Sequence, residues 1–145
     1  MNERVGLGFD VHRLEEGRPC ILGGVTIDHP TGPAGHSDGD AVLHAIIDAL
    51  TGAAGLDDVG TLFPDTDDAW KGADSARLLE AVVERVRSAG FQIGNVDVVI
   101  ATEGPRIAPV RAAMRVRIGA LLGVDASAVN VKGKTLEGLG ALAEG

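Results

Sequence analysis

Asp10 and His12 stand two residues apart in the run Gly8-Phe9-Asp10-Val11-His12. If that run is extended, both side chains leave the same face. A further histidine, His44, sits in Ala41-Val42-Leu43-His44-Ala45-Ile46-Ile47. That stretch is apolar nearly all round and reads as the middle of a buried helix. A buried imidazole needs partners. Asp40 and Asp48 lie one helical turn away on either side and are placed to accept from its far nitrogen, as around a metal-bound histidine. One carboxylate and two imidazoles make the three-ligand set that catalytic zinc sites use while leaving one position open. Manganese or cobalt suits the same donors. Spacing alone leaves open that His12 is a loop histidine and His44 a hydrogen-bonded core histidine.

Two other stretches could hold substrate groups. His36-Ser37-Asp38-Gly39-Asp40 precedes the helix around His44. Free N–H groups and a positive dipole end suit phosphate oxygens there, with an ordinary N-cap as the alternative. The stretch from Asp57 to Asp67 is too acidic to hold phosphate alone; its carboxylates can accept from sugar-type hydroxyls or be merely solvated. His29, before Pro30 in a polar turn, reads as solvated.

The elements that must position these groups follow from periodicity and punctuation. Val5 to His12 reads as a short β-type run, and Cys20 to Ile27 as a second, broken at Gly23-Gly24. Asp38 to Ala54 is expected to be helical, capped by Ser37 and Asp38 and ended by Gly55. Asp57 to Lys71 is expected to be a loop. Asp74 or Ser75 opens a second helix to Ser88, with Leu78, Leu79, Val82, Val83 and Val86 as its apolar stripe and Gly90 as its stop. Val96 to Thr102 reads as a strand, Val110 to Leu122 as a third helix closed by Gly123, and Val129 to Lys132 as the start of a last strand. The expectation is one α+β domain over residues 1–145, with a mixed sheet of the four-stranded type covered by about three helices.

A chain of 145 residues is long enough for one core. No apolar run approaches the length that spans a membrane, and the N-terminus carries no apolar leader or Arg/Ser-rich transit pattern, so the cytoplasm is the expected location. The single cysteine, Cys20, lies in an apolar run, where packing is its expected role. A net charge of −8 with no basic stripe argues against nucleic acid or anionic membranes as partners. The same charge would repel a diphosphate unless bound cations intervene.

The motifs occur together and in order: Gly8-Phe9-Asp10-Val11-His12, His36-Ser37-Asp38-Gly39-Asp40, Asp58-Val59-Gly60 with Leu62-Phe63-Pro64-Asp65-Thr66-Asp67, Lys71-Gly72-Ala73-Asp74-Ser75, and Gly94-Asn95-Val96-Asp97-Val98. From residue 4 to about 140 the chain closely resembles the 2-C-methyl-D-erythritol 2,4-cyclodiphosphate synthase family of non-mevalonate isoprenoid biosynthesis.

The resemblance implies a homotrimer with active sites between neighbouring subunits. It also implies conversion of a cytidine-diphosphate ester of methylerythritol 2-phosphate to the cyclic diphosphate, with release of CMP. It places a zinc-type ion (or manganese or cobalt) at Asp10, His12 and His44. His36 and Thr135 match the residues that stabilise the transition state. Ser37 helps hold phosphate. Asp58, Gly60 and Phe63, Pro64, Asp65, Thr66 and Asp67 surround the methylerythritol hydroxyls. Thr102, Pro105, Arg106, Ile107 and Ala108 cradle the cytosine, with Arg106 where the family usually has Lys. Glu137 matches the ligand of a second cation, magnesium or manganese, that bridges the phosphates.

Departures gather near the C-terminus. The family usually shows Ala-Thr-Thr-Thr-Glu, then Gly-Phe-Thr-Gly-Arg-Gly-Glu-Gly and a closing strand. Here Gly133-Lys134-Thr135-Leu136-Glu137 is followed by Gly138-Leu139-Gly140-Ala141-Leu142-Ala143-Glu144-Gly145. The expectation is a domain without the closing strand, hence with an unpaired sheet edge. Another metal-dependent phosphodiesterase, or a non-catalytic trimer that binds a phosphorylated ligand, are the competing readings.

Overall fold

In the computed structural model, residues 2–35, 37–64, 66–69 and 74–144 are described. Among the described residues there are three strand pairs, two antiparallel and one parallel, and four helices, with one hydrophobic core drawn from the helices and from the β2–β3 and β5–β6 pairs. The pairs are β1 (Leu14–Glu16) with β4 (Thr31–Pro33), β2 (Cys20–Leu22) with β3 (Val25–Ile27), and β5 (Val96–Ala101) with β6 (Val129–Lys134). The α+β class is as expected, but among the described residues these are three two-stranded sheets and not one four-stranded sheet.

The helices are α1 (Ala41–Ala54), α2 (Val59–Leu62), α3 (Ser75–Ser88) and α4 (Arg111–Leu122). α3 matches its expected span, with Asp74 accepting from the Arg77 N–H as its cap. A 3-10 turn over Ala108–Val110 precedes α4, and Gly123, at φ 72°, ends it. α4 is the crossover that makes β5 and β6 parallel, in register from Val96 opposite Val129 to Ala101 opposite Lys134. Met114, Ile118 and Leu122 of α4, Val129 and Val131 of β6, Leu79 and Val82 of α3, and Leu43 and Ile47 of α1 close the core.

α1 begins three residues later than the sequence reading places it. Gly39 has φ 68°, and a Cβ there would lie 2.7 Å from the Pro33 carbonyl oxygen. That left-handed residue breaks the helical path, so Asp40 and not Ser37 or Asp38 is the cap. The stretch read as a loop from Asp57 contains α2, capped by Asp58 accepting from the Thr61 N–H.

The run from Val5 to His12 is extended but has no ladder partner among the described residues. Val5, Leu7, Phe9 and Val11 point outward, with Val5 95% exposed. Gly6 and Gly8 lie against α1: a Cβ on Gly6 would fall 1.8 Å from the Ala49 oxygen, and one on Gly8 1.7 Å from the Ala45 oxygen. Only glycine allows this approach, and it carries Asp10 and His12 up to the helix that bears His44.

Candidate metal centre and neighbouring cavities

Asp10, His12 and His44 converge, each offering a ligand atom within 4.8 Å of the others, and all three are partly buried. Asp10 Oδ2 lies 2.7 Å from His12 Nε2 and 3.2 Å from His44 Nδ1. The other nitrogens are occupied elsewhere. His12 Nδ1 is 2.5 Å from the Ala34 carbonyl oxygen, which can only accept, so Nδ1 carries the proton. His44 Nε2 is 2.8 Å from Ser75 Oγ, and that hydroxyl donates to Asp38 Oδ1. Nε2 is therefore the protonated nitrogen of His44. Two imidazole lone pairs and a carboxylate oxygen then face one another with no proton of their own to share. Protons or a cation must fill the space between them, and this N₂O set is one that divalent metals accept.

The expected partners of His44 need correction. Asp40, fully buried, does not accept from its far nitrogen: Oδ1 accepts from the Leu43 and Gly23 N–H groups and Oδ2 from Gly24 N–H. It caps α1 and fastens the β2–β3 hairpin to it, where Gly23 and Gly24 both have positive φ. Burial pushes the Asp40 carboxyl up, against the pull of those three N–H groups. Asp48 is also not hydrogen-bonded to His44, whose ring nitrogens face Asp10 and Ser75. It is raised by partial burial and then by the Asp10 charge, so it faces the cluster electrostatically. The residues that sequence reasoning missed are Ser75, Asp38 as its anchor, and the Ala34 carbonyl. Ser75 was legible only as a helix start, because its partner His44 is 31 residues away.

The other expected site residues fall into separate places. His36 and Asp65 lie outside the described residues, as do Lys71, Gly72 and Ala73. Ser37 is partly buried in the loop that Arg18 straps, donating to the Pro33 and Ser37 carbonyls. Asp58 and Gly60 are exposed at α2, as are Thr66 and Asp67, with Pro64 partly buried. The hydrogen bond from Thr61 N–H holds the Asp58 carboxyl below the usual range. Phe63 is the exception: at 5% exposure its ring belongs to the core, beneath the Arg85 guanidinium.

Thr102, Pro105, Arg106, Ile107 and Ala108 do come together. With Glu103, Arg111, Gly133, Lys134 and Thr135 they line a cavity of about 200 Å³. Its three cationic side chains suit an anionic ligand. A larger cleft of about 430 Å³ runs between residues 8–14 and β5, with Asp10 and His12 on its wall and Leu142 at its rim. Thr135 and Glu137 are exposed, and the Thr135 hydroxyl donates to the Glu137 carboxylate at 3.2 Å. Among the described residues no helix is long and apolar enough to cross a membrane.

The family model described as "YgbB family" matches residues 3–145. A curated 2-C-methyl-D-erythritol 2,4-cyclodiphosphate synthase of Gemmatimonas aurantiaca is 57% identical over 137 residues, which is 94% of this chain and 82% of that protein. One from Laribacter hongkongensis is 57% identical over 145 residues, all of this chain and 90% of that one. A solved 2C-methyl-D-erythritol-2,4-cyclodiphosphate synthase in a CDP-bound form superposes with a TM-score of 0.89 at 41% identity, covering 94% of this chain and 91% of that one. A Plasmodium falciparum homologue in a CDP complex gives 0.84 at 36%, covering 97% and 86%.

Proposed function

Because the chain belongs to the YgbB family of cyclodiphosphate synthases, we propose that it converts 4-diphosphocytidyl-2-C-methyl-D-erythritol 2-phosphate to the 2,4-cyclodiphosphate and CMP. The observation that carries this is the convergence of Asp10, His12 and His44, with Asp10 and His12 on the wall of the larger cleft and both outward imidazole nitrogens already bonded.

The reaction needs no protein nucleophile. An oxygen of the substrate's own 2-phosphate bonds to the β-phosphorus, the bond from that phosphorus to the bridging oxygen breaks, and CMP leaves with the electron pair. Attack of anion on anion through a loose transition state demands positioning and charge neutralisation. A zinc-type ion held by Asp10, His12 and His44, with magnesium or manganese at Glu137, would supply Lewis-acid neutralisation of the phosphoryl oxygens. The chain supplies the rest. Ser37 and His36 bind phosphate beside the start of α1, and Thr135 donates to the reacting phosphoryl group. Asp58, Gly60 and Pro64 to Asp67 accept from the methylerythritol hydroxyls. The cavity of Thr102 to Ala108 takes the cytidine end, where Arg106 and Lys134 offset the diphosphate charge. Holding both ends folds the substrate toward its reacting geometry.

A homotrimer with sites between subunits goes with the outward apolar row of Val5, Leu7, Phe9 and Val11, together with Val99 and Leu142. A cytoplasmic location goes with a highly charged substrate that does not cross lipid. Phosphorus NMR of purified, metal-quantified protein with the cytidine substrate tests the reading. Cyclic diphosphate and CMP should appear, stop on chelation and resume with zinc plus magnesium. Open-chain methylerythritol 2,4-bisphosphate with CMP, the product of water attack on the diphosphate, would instead mean a hydrolase.

A further inference from the structure

Ser75 stands at the start of α3 with no exposed surface, and its three polar contacts have one consistent direction. Its N–H donates to Asp38 Oδ2 at 3.1 Å and its hydroxyl to Asp38 Oδ1, leaving the Oγ lone pairs toward His44 Nε2. Asp38 Oδ1 accepts again from the Asp40 N–H, so its carboxylate has no proton to return. An N–H on His44 Nε2 is the only arrangement that satisfies the chain Asp38, Ser75, His44. It leaves the Nδ1 lone pair on the side of Asp10.

We propose that Asp38 and Ser75 are positioning residues that act through His44, locking its Nε2–H tautomer and turning its Nδ1 toward the metal centre. The proposal rests on the metal reading above and adds two residues to it. Outward partners of ligating histidines usually fix the ring in this way, and their loss weakens metal binding about 10- to 100-fold. Here the partner is a hydroxyl whose direction is set by a carboxylate one residue beyond Ser37. The same contact therefore fastens the loop bearing Ser37 to the first turn of α3.

Two substitutions separate a tautomer lock from packing. Ser75→Ala removes the acceptor and lets either tautomer form. Asp38→Asn is the sharper probe. Its amide must turn an NH₂ group toward either the Ser75 hydroxyl or the Ser75 N–H, both donors in the wild type. Facing the hydroxyl, it makes Ser75 donate to Nε2 and forces the proton onto Nδ1, where the metal should bind.

The experiment is zinc titration against a chromophoric chelator, with thermal melts of the metal-free proteins. It is joined to long-range ¹H–¹⁵N NMR of the imidazoles above the ordinary histidine pKa of about 6.5. Zinc affinity should fall about 10- to 100-fold in Ser75→Ala and at least as far in Asp38→Asn, with metal-free melts within a few degrees of wild type. His44 in metal-free wild type should carry its proton on Nε2. Affinities within about twofold of wild type in folded variants, or a wild-type proton on Nδ1, would overturn the proposal. If neither variant folds, the wild-type tautomer decides alone. If wild-type protein binds no zinc, the metal reading fails while the tautomer still tests the lock.

Discussion

The Asp10–His12–His44 cluster and the Thr135–Glu137 arm are assigned to one reaction, yet they are built on opposite plans. In the cluster, contacts span up to 34 residues of sequence, and each imidazole's outward nitrogen has a partner within the chain. In the arm both side chains are exposed and bonded to each other, Glu137 has φ 54°, and the Leu136 N–H ties the segment back to the Glu103 carboxylate at 2.7 Å. The cluster is organised before anything binds. The arm, exposed and with few ties to the rest of the chain, is the more adaptable of the two. A loose phosphoryl transition state demands positioning and charge neutralisation, which groups organised before binding supply without reorganisation.

Breaking the rigid side should have the largest effect. His12→Ala or His44→Ala is expected to lower turnover by about a thousandfold or more, since metal stabilisation of phosphoryl charge is worth several kcal/mol. The proteins should remain folded by circular dichroism while bound zinc, measured by mass spectrometry, disappears. Turnover at the wild-type rate would remove the cluster from the mechanism.

Asp40 tests whether the frame holds itself up without touching the chemistry. Asp40→Ala removes the α1 cap, about 1 kcal/mol, and strands the Gly23 and Gly24 N–H groups, of which Gly23 is buried. A combined loss of about 3 kcal/mol should appear in denaturant unfolding as a lower midpoint with an unchanged slope. Zinc affinity per folded molecule should stay near wild type. A selective loss of zinc affinity with unaltered stability would restore Asp40 as a partner of His44.

That reassignment shows where the sequence was legible. The apolar run of α1, its Gly55 stop and the whole of α3 follow from local periodicity and capping, and the structure has them. Asp10 and His12 share a face because extended chain alternates. The start of α1 failed because Gly39 is left-handed and lies so close to the Pro33 carbonyl that a Cβ would not fit, which breaks the helical path just before Asp40. Phe63 shows the reach of packing in another way: its motif says nothing of burial, and its ring lies in the core. Ser75 could not be found because a hydroxyl at a helix start looks the same with or without a histidine over it. Side chains whose roles depend on long-range contacts are hidden from spacing, and the outward partners of ligands are of that kind.

On the adaptable side the expected effects are smaller. Glu137→Gln should slow turnover about 10- to 100-fold, comparable to losing one charge-stabilising group. Raised magnesium should recover part of it, and zinc content should not change. The kinetic signature is the point of difference from the cluster: a magnesium-dependent defect in an intact, zinc-loaded protein. If Glu137→Gln instead lost zinc and stability together, the arm would be part of the frame and the contrast would collapse.

The smallest effect separates the two regions by pH. Burial works against the Asp38 carboxylate, but the Ser75 hydroxyl, the N–H groups of Asp40 and Ser75, and the nearby His44 together hold its pKa below the usual value. A carboxyl depressed in the folded state adds stability above its unfolded pKa, about 3.9, and that share is lost as pH falls from there through the folded value. The stability difference between wild type and Asp38→Asn should therefore be flat from neutral pH to about pH 4 and shrink below it. Urea unfolding at a series of acidic pH values measures this. A difference that stayed constant through the acid limb would mean that Asp38 acts on stability through shape alone. The preorganisation of the metal side would then owe nothing to its charge.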